Sequence, residues 1–202
     1  METTIYLMRH AESSWNKQKR FQGSSDIRLS INGRTQAEKL GKYFKEKEIE
    51  SIYSSPLQRC LETARIAFKG KEIKIEKNLI ERNYGEWEGL TREQIMRKYE
   101  KQWHEFMLSG SLKGIKGGEP LNKVTKRSFN AVKEIASKNK GKNIAVISHG
   151  RTNKQILSKV IGFNYDKNHL LHQNNACVNE LLLKKNKFIL KRLNYFQYLV
   201  RK

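Results

Sequence analysis

Cysteine is nearly absent from this chain, with two residues in 202. Cys60 and Cys177 stand far apart, form no CxxC pair and fall inside apolar patterns. They read as buried reduced thiols rather than a disulfide frame. No apolar run approaches the length needed to span a bilayer, and no charged-then-apolar leader opens the chain. The expectation is a soluble, cytoplasmic protein. Internal repeats and low-complexity segments are missing too, as is any Asp/Glu cluster with magnesium-ligand spacing. Acidic residues are scarce: 20 Asp and Glu face 41 Lys and Arg, a formal charge of +21. Such a balance favours anionic partners. The lysines, however, are spread over loop ends such as Lys69-Gly70-Lys71, Lys138 to Lys142 and Lys184 to Lys187. They describe a solvated surface, which makes nucleic acid an unexpected partner.

What is present is an alternation of strand and helix patterns. Thr3 to Met8 reads as a short buried strand that stops at Arg9-His10. A polar loop covers Lys17 to Arg28. Ser30 caps a helix whose apolar face is Ala37, Leu40, Gly41 and Phe44. A strand at Ser51 to Ser54 precedes Ser55-Pro56-Leu57-Gln58, whose proline suits the first helical position. The helix that follows buries Leu57, Cys60, Leu61, Ala64 and Phe68. Ile73 and Ile75 alternate with charged residues, as in a half-exposed strand. Leu79 to Leu90 is a glycine-punctuated loop. Thr91 opens a helix, Trp103, Phe106 and Met107 continue that layer, and Gly110 to Gly118 breaks it. A helix from about Glu119 to Ser137 turns Leu121, Val124, Val132, Ile135 and Ala136 inward. Asn143 to Ser148 is the clearest buried strand, ending at His149-Gly150. The next helix buries Ile156, Leu157, Val160 and Ile161 and stops at Gly162. Val178 to Leu183 and Phe188 to Leu193 form a hairpin turning at Lys185 to Lys187. The pattern predicts a three-layer α/β/α sandwich with a mostly parallel sheet and an antiparallel edge strand. One domain over 1–202 is expected, with a helical lid insertion around 85–120.

Function in such sheets collects beyond the carboxyl ends of the strands. Arg9-His10, Arg59 and His149 all lie at strand-to-helix junctions, so parallel neighbours would bring them to one edge. The helix beginning near Pro56 would add its positive end. Two guanidiniums, two imidazoles and a helix terminus suit phosphate, which accepts arginine's bidentate donors. A histidine nucleophile there must be neutral, with its tautomer fixed by a glutamate or a backbone carbonyl.

Arg9-His10-Ala11-Glu12 with Asn16, Ser54-Ser55-Pro56-Leu57 with Arg59, Thr63 and Ala64, Glu81 before Tyr84-Gly85 and Trp87-Glu88-Gly89, Gly118-Glu119, and Ser148-His149-Gly150 resemble the histidine phosphatase superfamily. That group includes the cofactor-dependent phosphoglycerate mutases and many small phosphatases, and the motifs stand here in family order. The resemblance implies a phosphoglycerate mutase-like fold and a phosphomonoesterase needing neither metal nor cofactor. It implies His10 as nucleophile, Arg9, Arg59 and His149 as holders of the phosphoryl oxygens, and Glu81 as general acid and then base. Asn16, Gln22, Gly23 and Gly150 become substrate contacts, with Arg82 and Tyr84 as further candidates. Glu86 and Glu88 are neighbours that could be confused with Glu81, and Arg82 could instead pair with it. The chain departs from the family pattern at Ala11, where glycine is usual, and at Pro120, where serine is usual.

Two alternatives follow from the same residues. A mutase would hand the phosphoryl group to a second hydroxyl, but such chains resemble longer ones with larger lids. A basic nucleic-acid-binding protein rests only on the charge. The partner expected is a small phosphorylated metabolite, with a homodimer possible. The pair His169 and His172 invites a metal reading, yet lacks a third ligand nearby and reads as structural.

Overall fold

The computed structural model describes residues 1–163 and 171–200. Six strands form one sheet: β1 (Thr3–Arg9), β2 (Ser51–Ser54), β3 (Lys74–Ile75), β4 (Asn143–Ser148), β5 (Val178–Lys184) and β6 (Lys187–Tyr195). Their spatial order is β3-β2-β4-β1-β5-β6. The first four are parallel, while β5 and β6 run antiparallel at one side. The antiparallel edge is thus a two-strand hairpin. It turns at Lys185 and Asn186, whose φ values of 47° and 61° match the left-handed pair that a tight two-residue hairpin requires.

The helices are α1 (Ser14–Lys17), α2 (Ile31–Phe44), α3 (Gln58–Ala67), α4 (Arg92–Lys98), α5 (Glu100–Ser109), α6 (Leu121–Lys138) and α7 (Gly150–Ile161). Alternation along the central strands divides the core into two layers. Ile5, Leu7, Ile144 and Val146 pack with Val132 and Ile135 of α6 and Ile156 and Leu157 of α7. Tyr6, Met8, Ala145 and Ile147 face the other way, toward Leu40 and Phe44 of α2 and Cys60 and Ala64 of α3. That is the three-layer sandwich the periodicity predicts. Segment 85–120 has an apolar cluster of its own, in which Trp87, Ile95, Trp103 and Phe106 pack together.

Local chemistry explains the element boundaries. Ser30 caps α2 by accepting from Gly33 N. Thr91 and Gln94 form a reciprocal capping box on α4. Gly162 ends α7 with φ 69°. Four expectations need correction. Pro56 lies before α3, which starts at Gln58 with Leu57 as its cap, because the hydroxyl of Ser55 is engaged elsewhere in the fold. The strand around Ile73 to Ile75 is two residues long and exposed at the sheet's end, where only β2 holds it. Met107 and Ile161 face solvent, lying past the arc of their helices that the core covers.

Register decides where chemistry can gather. Arg9 is paired with Ser148 and Ser54 with Ile147. Beyond the strand ends, His10 N donates to Ser148 O at 2.9 Å and Ser55 N to Ile147 O at 3.0 Å. Three neighbouring strands therefore release their chains at one level.

Candidate active site

His10 leaves β1 almost fully buried. Its Nδ1 lies 2.7 Å from Ala11 O. A carbonyl can only accept, so Nδ1 carries the proton and the lone pair is on Nε2. Burial, followed by the charges of Arg59 and Arg9, holds the imidazole well below its ordinary pKa. It is a neutral ring with its tautomer set by its own backbone. Ala11 is fully buried against Leu29, Ala37 and Ala176, so its methyl group, where glycine is usual, fills apolar space. Ala11 N donates to Thr63 Oγ1 at 3.0 Å, and that hydroxyl donates to Arg59 O at 2.6 Å. The loop after β1 is thereby tied to α3.

Arg59 is wholly buried. It donates from Nη1 to Ser25 O and from Nη2 to Gly23 O, both at 2.7 Å, and from Nε to His149 Nδ1 at 3.2 Å. Two of its five N–H donors remain for a guest. Arg9 donates from Nη1 to Gln173 O at 2.7 Å, while its buried Nε has no partner. A Cβ on Gly150 would approach that Nε to 3.2 Å, so the bare backbone makes room for the guanidinium. Burial lowers both arginines. Among the described residues neither has a carboxylate within ion-pair distance. Buried cations in that position favour an anionic guest.

The amides are arranged to donate. Asn16 Oδ1 lies 3.0 Å from Ser13 N and 3.1 Å from Asn175 Nδ2. The hydroxyl of Ser13 donates to Gln22 Oε1 at 2.7 Å. With their oxygens occupied, both side-chain NH2 groups are left for the cavity, which Asn16 and Gln22 line.

Glu81 comes from the loop after β3. Its Oε1 accepts from Arg82 N at 2.9 Å and Thr152 N at 3.0 Å, and the hydroxyl of Thr152 is 2.9 Å away. Oε2 accepts from Arg151 N at 3.1 Å. Glu81 therefore caps α7, whose own cap residue His149 contributes no side-chain bond. Arg127 reaches from α6 to brace this loop, donating to Asn78 O, Ile80 O and Glu81 O and holding Glu119 in a bidentate pair.

These groups surround a cavity of about 350 Å³ lined by Arg9, His10, Asn16, Gln22, Gly23, Arg59, Glu81, Tyr84 and Gly150. Three expectations are revised by the geometry. His149 does not reach the cavity wall: it lies behind, its ring 5.3 Å from that of His10, donating from Nε2 to Ser55 Oγ at 2.7 Å. Burial and Arg59 hold it well below its ordinary pKa as well, and with both ring nitrogens engaged it positions Arg59. Arg82 is also out of the wall. It is fully buried and donates to Glu119 O and Gly110 O, both at 2.7 Å, because the 110–119 turn offers carbonyls on its side of the loop. Finally, the first amide of α3 donates to Asp26 Oδ1 at 2.6 Å, and it is Gly150 at the start of α7, not the start of α3, that lines the cavity.

Residues that were given no role at the site also matter. Glu88, a neighbour that could be confused with Glu81, accepts from Ser24 N, Ser25 N and Tyr84 N and so joins two active-site loops. Phe21, in a stretch read as polar, sits edge-on to Tyr84, Trp87 and Trp103. Lys19, Arg20, Arg151, Lys154, His172 and Gln173 line the cavity too. His169 lies outside the described residues, among which no group of three His, Cys, Asp or Glu side chains could hold a metal ion.

A parallel-sheet sandwich with a neutral histidine between two buried arginines defines a phosphoryl-transfer class of site. The model of the histidine phosphatase superfamily (branch 1) matches residues 5–195, and the chain belongs to that family. Phosphoserine phosphatase 1 of Hydrogenobacter thermophilus is 28% identical over 192 residues, covering 94% of this chain and 91% of that protein. The structure of Bacillus stearothermophilus YhfR superimposes with a TM-score of 0.91 at 29% identity, covering 98% of this chain and 99% of that one. A phosphoserine phosphatase from Entamoeba histolytica, solved as a histidine-to-alanine variant with phosphoserine, gives a TM-score of 0.87 at 27% identity, covering 98% and 99%. The family makes this chain an enzyme of the phosphatase or mutase type.

Proposed function

We propose that the protein is a metal-independent phosphomonoesterase that hydrolyses a small phosphorylated metabolite through a phosphohistidine at His10. The observation that carries this reading is the 2.7 Å bond from His10 Nδ1–H to Ala11 O, which leaves the Nε2 lone pair in a cavity walled by Arg9 and Arg59. In the first step Nε2 attacks phosphorus and the P–O ester bond breaks. Glu81 protonates the leaving oxygen from Oε2, the carboxylate oxygen with fewer donors on it. In the second step Glu81 takes a proton from water, the hydroxide attacks phosphorus and the P–N bond breaks, which returns the lone pair to His10. Arg9 and Arg59 offset charge on the phosphoryl oxygens, with the amides of Asn16 and Gln22 beside them. The cationic groups supply the electrostatic stabilisation that a metal gives elsewhere. Residues 85–120 are read as the lid.

The test is a single-turnover experiment with a phosphorus-labelled phosphomonoester and an alkaline quench. An acid-labile, base-stable label on a peptide containing His10 is expected, and none in His10→Ala. Turnover with no such label would overturn the covalent route. Phosphoryl exchange between the 2- and 3-positions of glycerate, faster than phosphate release, would identify a mutase instead.

A further inference from the structure

Arg82, turned away from the catalytic cavity, lines a second one. That cavity, of about 640 Å³, lies between the 109–118 turn and the start of α6, and no residue lines both. The charged residues lining it are Arg82, fully buried, and Lys113, exposed. Nε and Nη1 of Arg82 donate to Glu119 O and Gly110 O, while Nη2 is buried and, among the described residues, has no partner. Two N–H donors thus go unmet on a buried cation, which costs free energy. The acidic groups that act on Arg82 are occupied: Glu119 pairs with Arg127, and Glu81 accepts from the start of α7. Burial brings the guanidinium down to about 10, so it stays charged at neutral pH. A separate feature points the same way. Pro120, Leu121 and Asn122 line this cavity where α6 begins, and Pro120, the cap residue of that 18-residue helix, gives its first turn no side-chain bond. The uncapped start of a long helix is electropositive and favours an anion.

We propose that this cavity is a second ligand site, separate from the catalytic one, for a small molecule that carries a single carboxylate on a compact apolar body. One buried guanidinium beside a helix start balances a monoanion, whereas a phosphate dianion would leave charge unmet. Leu112, Ile115 and Leu121 supply apolar walls for the body, and a few polar groups in a mostly apolar cavity of this size are what a small-molecule site needs. The site stands one residue from the proposed acid, since Arg82 N donates to Glu81 Oε1 at 2.9 Å. It does not depend on the phosphatase reading.

The probe is benzoate, with uncharged benzamide as its control, titrated calorimetrically into the full chain at pH 7. Benzoate is expected to bind with a Kd of about 1 mM or tighter, and benzamide about tenfold or more weakly, as one charge-assisted contact supplies. Arg82→Met should remove that preference. Because this change also removes the bonds to Glu119 O and Gly110 O, a second variant fills the cavity from the α6 side: Leu121→Trp should abolish benzoate binding while Tm holds. Wild-type affinity for benzoate in Leu121→Trp overturns the proposal, as does equal binding of benzoate and benzamide or no saturable binding of benzoate. Retention in Leu121→Trp together with loss in Arg9→Met would seat the benzoate in the catalytic cavity, which also overturns it. Every arm reads binding, so absence of phosphatase turnover does not hide the answer.

Discussion

Glu88→Ala is expected to damage the active site from outside it. The Glu88 carboxylate accepts from Ser24 N at 2.8 Å, Ser25 N at 2.9 Å and Tyr84 N at 3.1 Å, with the hydroxyl of Ser25 at 2.6 Å. Gly23 packs on it so closely that a Cβ there would lie 1.9 Å from Oε1, and its φ is +51°. Removing the carboxylate leaves three backbone donors without their acceptor. Each bond to a charged group is worth about 1.5–3 kcal/mol, but water can reach this half-buried loop, so the net loss is about 3 kcal/mol. For a chain of this size that lowers Tm by about 6–12 °C. The carbonyls of Gly23 and Ser25 are the ones that hold Arg59, so misplacing them should lower kcat/KM by about 10- to 100-fold. Glu88→Gln, which sets an NH2 against an N–H donor, should fall between. Glu86→Ala, at an exposed neighbour, is the control. Thermal melts and phosphatase kinetics on the three variants decide it. A Glu88→Ala protein with wild-type Tm and kcat/KM would refute the reasoning.

Four further outcomes are expected. Thr152→Val, which removes a hydroxyl 2.9 Å from Glu81 Oε1, should lower kcat about tenfold while KM holds, read by steady-state kinetics. Stability should depend on pH through His10 and His149, whose folded pKa values both lie well below ordinary. The unfolded chain then binds protons first, so stability is full above about pH 6.5 and falls with acid by up to ~1.4 kcal/mol per pH unit for each ring, measured by denaturant melts from pH 7.5 to 5. Trp87→Ala, at a fully buried ring in the 85–120 cluster, should cost about 3–5 kcal/mol in the same melts. Any retention on polyanionic DNA should collapse between 50 and 200 mM salt, because a dispersed +21 charge binds only through phosphates. Salt-resistant binding would revive the nucleic-acid reading.

The fold was legible because its central strands are short apolar runs closed by polar or glycine-containing junctions. Thr3 to Met8 and Asn143 to Ser148 have no other stable home than a doubly covered sheet. Arg9, His10, Arg59 and His149 were legible together, since junction residues of parallel neighbours must meet. Direction was harder to read. His149 and Arg82 lie at the expected level of the sheet, but their side chains turn behind the wall, and that depends on which acceptor each can reach. Nothing local in the sequence announces that Ser55 will hold His149 or that Gly110 will offer Arg82 a carbonyl. Glu88 shows the same limit from the other side. A carboxylate between Trp87 and Gly89 looks like surface, and becomes a clamp only when Ser24 and Ser25 arrive from a distant part of the chain. Phe21 was hidden by its neighbours, because composition averages over a loop while the lid cluster needs one ring from it.

Glu81 joins the fold to the chemistry. An α-helix leaves its first amides without partners, and α7 starts at a histidine that supplies no side-chain cap. The missing acceptor is brought by a different loop: Arg151 N and Thr152 N both donate to the carboxylate of Glu81. The proposed acid is therefore fixed in place by the same bonds that complete the helix, and its orientation does not depend on the lid. Those bonds are also unequal. Among the described residues, Oε1 faces Arg82 N, Thr152 N and the Thr152 hydroxyl, and Oε2 faces Arg151 N. In the proposed mechanism the shuttled proton goes on Oε2, which meets fewer of these donors than Oε1. Glu81→Gln keeps an acceptor for one side of the helix and should fold, yet it has no proton to give. It should hydrolyse esters in proportion to the acidity of the leaving alcohol, with p-nitrophenyl phosphate nearly spared and an alkyl phosphate lost by about 10²- to 10⁴-fold. Equal losses on both esters would mean that Glu81 serves the helix alone.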